Sequence, residues 1–317
     1  MKQPRRRFLQ AAAAGAALPC SPEAEAAAAA ADSTPAVLSE GPPITLPKIK
    51  LGQHQVSRLI VGGNPFYGYS HFNRLFSQHM TEWATSERIC QVLEHGERCG
   101  INTWQFSHTA RTMSDLAAHR ARGGKMNWIL LSHAEMENDH SLVKDVVKHK
   151  PVGIVHHGGS AERKRRQGQL GQVRDFLKSV RDSGVLVGLS CHDPSLLEQV
   201  ESEGWDIDFY MTSLYYLTRS NEEWQQLLGT RPLGEVYVPE DPAKMYKVIR
   251  QTKRPCLCYK VLAAGRATDS PAAIDKAFQS AYSNIKPTDA LIIGMYPRYF
   301  DQVRDNAQRV NRLLNRG

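Results

Sequence analysis

The sequence predicts a single (β/α)8 barrel, the TIM-barrel architecture, over residues 44–317. Three observations carry this expectation. Short strands and helical stretches alternate eight times along roughly 270 residues, the size of one such barrel. The strands read as continuous apolar runs, as in a parallel sheet covered by helices. The turn after the first strand, Gly62-Gly63-Asn64-Pro65, is not the GxGxxG fingerprint that a doubly wound dinucleotide fold would place there.

The elements follow in order. A hairpin-like start covers Ile44–Val56, and the first strand is Arg58–Gly63. Thr85 or Ser86 caps a helix that runs to Arg98 and stops at Gly100. Ile101–Phe106 is the second strand and Ser114–Arg122 its helix, ended by Gly123-Gly124. Asn127–Ser132, Val152–His156, Leu186–Ser190 and Ile207–Thr212 are strands three to six. The helices between them cover Ser141–Lys148, Gln169–Asp182 and Pro194–Glu203, the last with proline in its first turn. Residues 221–228 form an extra helix, and Pro242–Gln251 is the sixth helix. Pro255–Lys260 and Ala290–Ile293 are the last two strands, followed by helices Ser270–Asn284 and Pro297–Leu314.

A composition of 41% hydrophobic and 23% charged residues excludes disorder, collagen and coiled coil. No run of about 18 apolar residues is present, so the mature chain is not expected to insert into a membrane. The net charge of +8 is spread among mixed charges. That fits solubility and a mild preference for anions, not nucleic-acid binding.

The first 31 residues read as an export signal. Arg5-Arg6-Arg7-Phe8-Leu9 precedes a short apolar stretch, Ala11–Leu18, and the small residues Ala29-Ala30-Ala31. The arginine pair resembles a twin-arginine signal, which makes the twin-arginine export machinery the expected partner and the periplasm the expected location. Residues 32–43, with Pro35, Pro42 and Pro43, read as a flexible leader. Beyond Cys20 there are five cysteines without framework spacing, so no disulfide scaffold is expected.

Barrel enzymes work at the carboxyl ends of the strands, and that rule sorts the twelve histidines. His108 follows strand two, His133 ends strand three, His156 and His157 end strand four, and His192 follows strand five. His108, His133, His156 and His192 are therefore expected to hold a divalent metal (Zn, Mn, Co or Fe), with His133 and His156 pointing inward. Glu135 is expected to be a further ligand or a base, and His157 an acid or base beside them. Lys260 ends strand seven and Arg266 follows the Gly265 turn; both are expected to hold or activate substrate. His54, His95, His119, His140 and His149 read as surface residues, and Arg163-Lys164-Arg165-Arg166 as a solvated helix start. Two long loops on the same face, 64–84 and 213–240, carry many aromatics and read as walls or lids.

Four stretches resemble the aldo-keto reductase family: Val56–Gly63, Gly100–Trp104, Gly188–His192, and Ile293-Gly294-Met295 with Asn306. The resemblance spans about residues 48–312. It implies a reductase-type barrel, a nicotinamide cofactor and an Asp, Tyr, Lys, His tetrad. The matching positions here are Gln105, Ala110, His133 and His156, so the tetrad's proton-donating tyrosine is missing. With the tetrad broken and no nicotinamide pool outside the cytoplasm, no NADP is expected. The expectation is thus an exported, metal-dependent enzyme acting on a small polar substrate such as a sugar or sugar acid, as a lyase, isomerase or hydrolase. Two alternatives remain open: a reductase with a tightly held NADP, and a non-catalytic barrel that binds a ligand.

Overall fold

A computed structural model of the chain describes residues 34–315. Eight parallel strands close into a barrel: β3 (Leu59–Gly62), β4 (Thr103–Ser107), β5 (Asn127–Leu131), β6 (Gly153–His156), β7 (Leu186–Cys191), β8 (Phe209–Ser213), β9 (Cys256–Tyr259) and β10 (Ala290–Gly294). Each pairs with its neighbour in sequence, and β10 returns to pair with β3. The antiparallel hairpin β1 (Lys48–Leu51) and β2 (His54–Ser57) precedes the barrel. Its Ile49, Leu51 and Val56 pack with the innermost barrel residues, so it closes the amino end.

Helices cover the outside: α1 (Arg74–Trp83), α2 (Ser86–Arg98), α3 (Ala110–Ala121), α4 (Ala134–Asn138), α5 (Ser141–Val147), α6 (Gly158–Arg166), α7 (Leu170–Asp182), α8 (Pro194–Ser202), α9 (Asn221–Leu228), α10 (Asp241–Gln251), α11 (Pro271–Asn284) and α12 (Gln302–Leu314). None is long and apolar enough to cross a membrane. Most boundaries lie within two residues of the sequence expectation, and the deviations have local causes. Helix α3 begins four residues early because Thr109 and Thr112 form a reciprocal cap. Helix α12 begins at Gln302 rather than Pro297 because Asp301, not the proline, caps it. The loop 64–84 contains α1, capped by Asn73.

Strand side chains alternate between two cores. Ile60, Ile129, Val155, Phe209, Met211, Leu257 and Ile292 fill the barrel interior. Val61, Trp104, Leu130, Ile154, Leu189, Tyr210, Cys258 and Ile293 face the helices. The five described cysteines are all free and buried. The described part of the expected leader is held down: Val37 N–H donates to Pro297 O, Ser39 N–H to Asp301, and Arg304 to the carbonyls of Ser39, Gly41 and Pro42. The export signal lies outside the described residues.

Glycine at Gly153 and Gly188 makes room for the Phe209 ring. A Cβ at Gly188 would stand 2.7 Å from a Val155 methyl and 2.8 Å from Phe209, and one at Gly153 2.8 Å from Phe209. Gly188→Ala is expected to destabilise the barrel by about 1–3 kcal/mol through overpacking. Phe209→Leu should recover part of that loss, read as a non-additive double-mutant cycle in urea unfolding. Additive effects would mean the two positions do not share this space.

Candidate functional site

The alternation decides which histidines reach the barrel mouth. On β6, Val155 faces the interior, so His156 must face the helices. It does: its ring packs edge-on against Phe176 of α7, centroids 5.2 Å apart, and it is fully buried. The expected inward direction of His156 is therefore corrected. Its Nδ1–H donates to His157 O, which leaves Nε2 as an acceptor 3.6 Å from buried Glu137. Glu137 accepts from Ser132 and Ser160.

The other expected ligands separate as well. His133 and Glu135 are exposed at the start of α4, close enough to His108 to influence its charge. Burial lowers the His108 pKa, the Glu135 charge opposes this, and His133 adds to it. His192 belongs to a different group, described below. Among the described residues, no three His, Cys, Asp or Glu side chains come together in a way that could hold a metal ion. The four proposed ligands do not fit a common metal. Of the positions matched to the reductase tetrad, Gln105 lines the mouth cavity, while Ala110 and His133 are exposed and His156 faces outward.

What converges instead is a hydrogen-bonded line from β7 to β9. Leu257 faces the interior, so Tyr259, two residues on, does too. The Tyr259 hydroxyl donates to His192 Nε2 at 3.1 Å and lies 3.0 Å from Ser190 Oγ. His192 Nδ1 is 3.4 Å from the carboxylate of Glu162, a buried residue of α6. Glu162 also accepts from the backbone N–H groups of His192 and Asp193 and from the Thr218 hydroxyl. Burial pushes the Glu162 pKa up, but the nearby His192 ring and these donors hold it below the usual carboxylate range. Burial raises the Tyr259 phenol well above its ordinary value, so it is a neutral donor. His157 is half-buried and within charge range of both His192 and Lys260; burial, then His192, lowers its pKa.

Lys260 leaves β9 with a left-handed backbone, φ +63°. Its Nζ lies 2.9 Å from His71 Nε2, on the loop after β3. His71 Nδ1 faces both oxygens of Glu235 at 2.9 Å. Burial lowers the Lys260 pKa to about 8, opposed by Glu235. Arg266 is exposed and bonds the backbone carbonyls of His71 and Glu235. A cavity of about 380 Å³ opens here, with Gln105, Tyr259, Lys260 and His71 at one end. It continues to Tyr296, Tyr299, Phe300, Gln302, Asp305 and Asn306 at the β10–α12 connection.

Sequence reasoning missed Tyr259, Glu162, His71 and Glu235. The pattern Cys256-Leu257-Cys258-Tyr259 contains the signal for Tyr259, because an inward Leu257 requires it. Glu162 is hidden inside a helix whose basic end, Arg163–Arg166, draws the eye. That run is the last turn of α6, and its Lys164 is buried rather than solvated. His95 and His119 are buried too, not on the surface; His95 bonds Asp301 at 2.8 Å.

Comparisons with known proteins agree on the fold. A glycerol dehydrogenase from Gluconobacter oxydans superposes with a TM-score of 0.52 at 10% identity, covering 84% of this chain and 90% of its own. A truncated 3-deoxy-D-arabino-heptulosonate 7-phosphate synthase from Thermotoga maritima gives 0.51 at 11% identity, covering 85% and 91%. An aldo/keto reductase from Brucella melitensis gives 0.46 at 9% identity, covering 85% of this chain and all of its own. No family model matches the chain, and no curated protein matches it in sequence. The chain has the (β/α)8 barrel fold that the first two of these proteins share with it.

The buried His156 has a consequence for acid stability. Burial depresses its pKa, outweighing the attraction of Glu137, so the folded ring is neutral. The unfolded ring takes a proton below about pH 6.5, so stability should fall as pH drops through that value. His156→Gln is expected to flatten this part of the curve, measured by urea unfolding at several pH values. An unchanged acid slope would assign the loss to other groups.

Proposed function

We propose that the protein is an acid–base enzyme acting on a small polar substrate of sugar or sugar-acid size, as an isomerase or lyase. One observation carries this reading: the line Glu162, His192, Tyr259 ends on a phenol that lines the mouth cavity. A neutral phenol can give its proton to a substrate oxygen. His157 takes a proton from the adjoining carbon at the same time. The phenolate, accepting from Ser190 Oγ, recovers its proton from the neighbouring substrate hydroxyl as His157 returns its own to carbon, while Glu162 and His192 hold the phenol in position. His157, kept neutral by burial, is the candidate base for a proton on carbon. Lys260 and Arg266 hold the substrate at the rim. On this reading Tyr259 takes the place of the family tyrosine that Ala110 lacks, from another strand. We further propose that the enzyme works in the periplasm, delivered by its twin-arginine-like signal.

A reductase with tightly held NADP is the second reading. The continuity of the cavity from Tyr259 to α12 favours it. Tyr296, Tyr299 and Phe300 offer ring faces, and Gln302 and Asn306 offer amides, to the far end of an elongated ligand. A nicotinamide bound there would supply a hydride. Tyr259 would remain the proton donor.

Exchange of carbon-bound protons separates the two. Incubated in D2O with a panel of aldoses, ketoses and aldonates, the wild-type protein should remove a C–H signal from at least one, seen by proton NMR. Tyr259→Phe should slow that exchange by roughly 10²–10⁴-fold with unchanged thermal unfolding. Exchange at the wild-type rate in Tyr259→Phe would sink the assignment. Release of NADP from denatured protein, one per chain, would establish the second reading.

A further inference from the structure

The group around Lys260 is built as an anion receptor, and its present occupant is part of the chain. Three loops supply it: 63–73 with His71, 260–266 with Lys260 and Arg266, and 229–240 with Glu235. Among the described residues, five non-glycine positions have left-handed backbone, and four of them, His71, Lys260, Ala263 and Ala264, are here. Such strain is costly and persists where the surroundings enforce a geometry for use.

Proton bookkeeping fixes the roles. A carboxylate only accepts, so His71 Nδ1 carries the proton given to Glu235. His71 Nε2 therefore accepts, from Lys260 Nζ at 2.9 Å and from the Asn64 amide at 3.1 Å. Tyr237 OH donates to Glu235 at 3.3 Å. Arg266 stacks over the rings of Tyr237 and Phe72, 4.3 and 5.6 Å from their centroids, and ties the two outer loops together. His71 Nδ1, with Lys260 behind it on Nε2, thus faces a single carboxylate, beside which Arg266 bonds the backbone carbonyls of His71 and Glu235. This carboxylate sits on a loop stretch without regular secondary structure and its side chain is 40% exposed.

We propose that Glu235 is an internal plug for an oxyanion site formed by Lys260, His71 and Arg266, and that the substrate carries a carboxylate or phosphate that takes its place. Entry of that anion would free Glu235 from His71 and release the 229–240 loop from the mouth. The proposal rests on the acid–base reading only in taking this cavity as the substrate site. An internal competitor lowers apparent affinity by the fraction of time it leaves the site open. Removing it should therefore tighten binding of any anion that fits.

Isothermal titration with inorganic phosphate and with D-gluconate tests this, with neutral D-glucitol as control. Glu235→Gln is expected to bind at least one of the two anions about tenfold more tightly than wild type does. The arm that responds identifies the oxyanion, and D-glucitol should not bind. Arg266→Gln or Lys260→Met, added to Glu235→Gln, should remove the gain. Arg266→Gln is the variant at an exposed position and guards against a folding defect. Equal anion affinity in wild type and Glu235→Gln overturns the plug, as does a gain that survives both added substitutions. So does a Glu235→Gln protein that binds neither anion. Tyr259→Phe should bind anions as wild type does. Loss of proton exchange there, with no effect of Glu235→Gln on binding, would leave the acid–base reading standing and remove the plug alone.

Discussion

Each strand of a closed barrel can turn only every second side chain inward. This alternation decides what the site contains. It sends Val155 in and His156 out, and so takes His156 away from the mouth. It sends Leu257 in and brings Tyr259 in after it. On β7 it places Gly188 and Ser190 on the inner side, with His192 following in phase, while Leu189 and Cys191 pack under the helices. The interior then has to be filled from the alternate positions, and Phe209 does so across the gaps left by Gly153 and Gly188.

A carboxylate, an imidazole and a phenol in line position a proton donor only if each is held in one protonation state at rest. Burial does this for Tyr259, whose phenol stays neutral. Glu162 stays ionised because backbone N–H groups, Thr218 and His192 outweigh its desolvation. Around this fixed base, His71, Lys260, Ala263 and Ala264 hold left-handed backbone in the loops above the strands. The hydrogen-bonded groups thus divide between the strand ends, with Tyr259 and His192, and the left-handed loop residues, with His71 and Lys260.

Much of the fold was legible because it is periodic. Eight apolar strands with capped helices left few alternatives, and the boundaries that slipped did so at caps such as Thr109 and Asp301. The site was legible only in part. Strand-end position singled out Lys260, which lines the mouth cavity, His192, which bonds Tyr259 there, and His157, within charge range of both. It also singled out His156, because position along a strand was read without its phase. Glu162, His71 and Glu235 lie on a helix and two loops whose approach to the mouth depends on tertiary packing, and no local pattern marks them. The barrel's pairing of Tyr259 with His192 spans 67 positions of sequence.

The central claim is that Tyr259 donates to His192 while Glu162 holds the other ring nitrogen. Nitrogen-15 NMR of the His192 ring tests it most directly. The neutral tautomer protonated at Nδ1 is expected, with an Nε2 resonance that shifts when Tyr259 is replaced by phenylalanine. A ring protonated at Nε2, or an Nε2 resonance indifferent to that replacement, would contradict the claim.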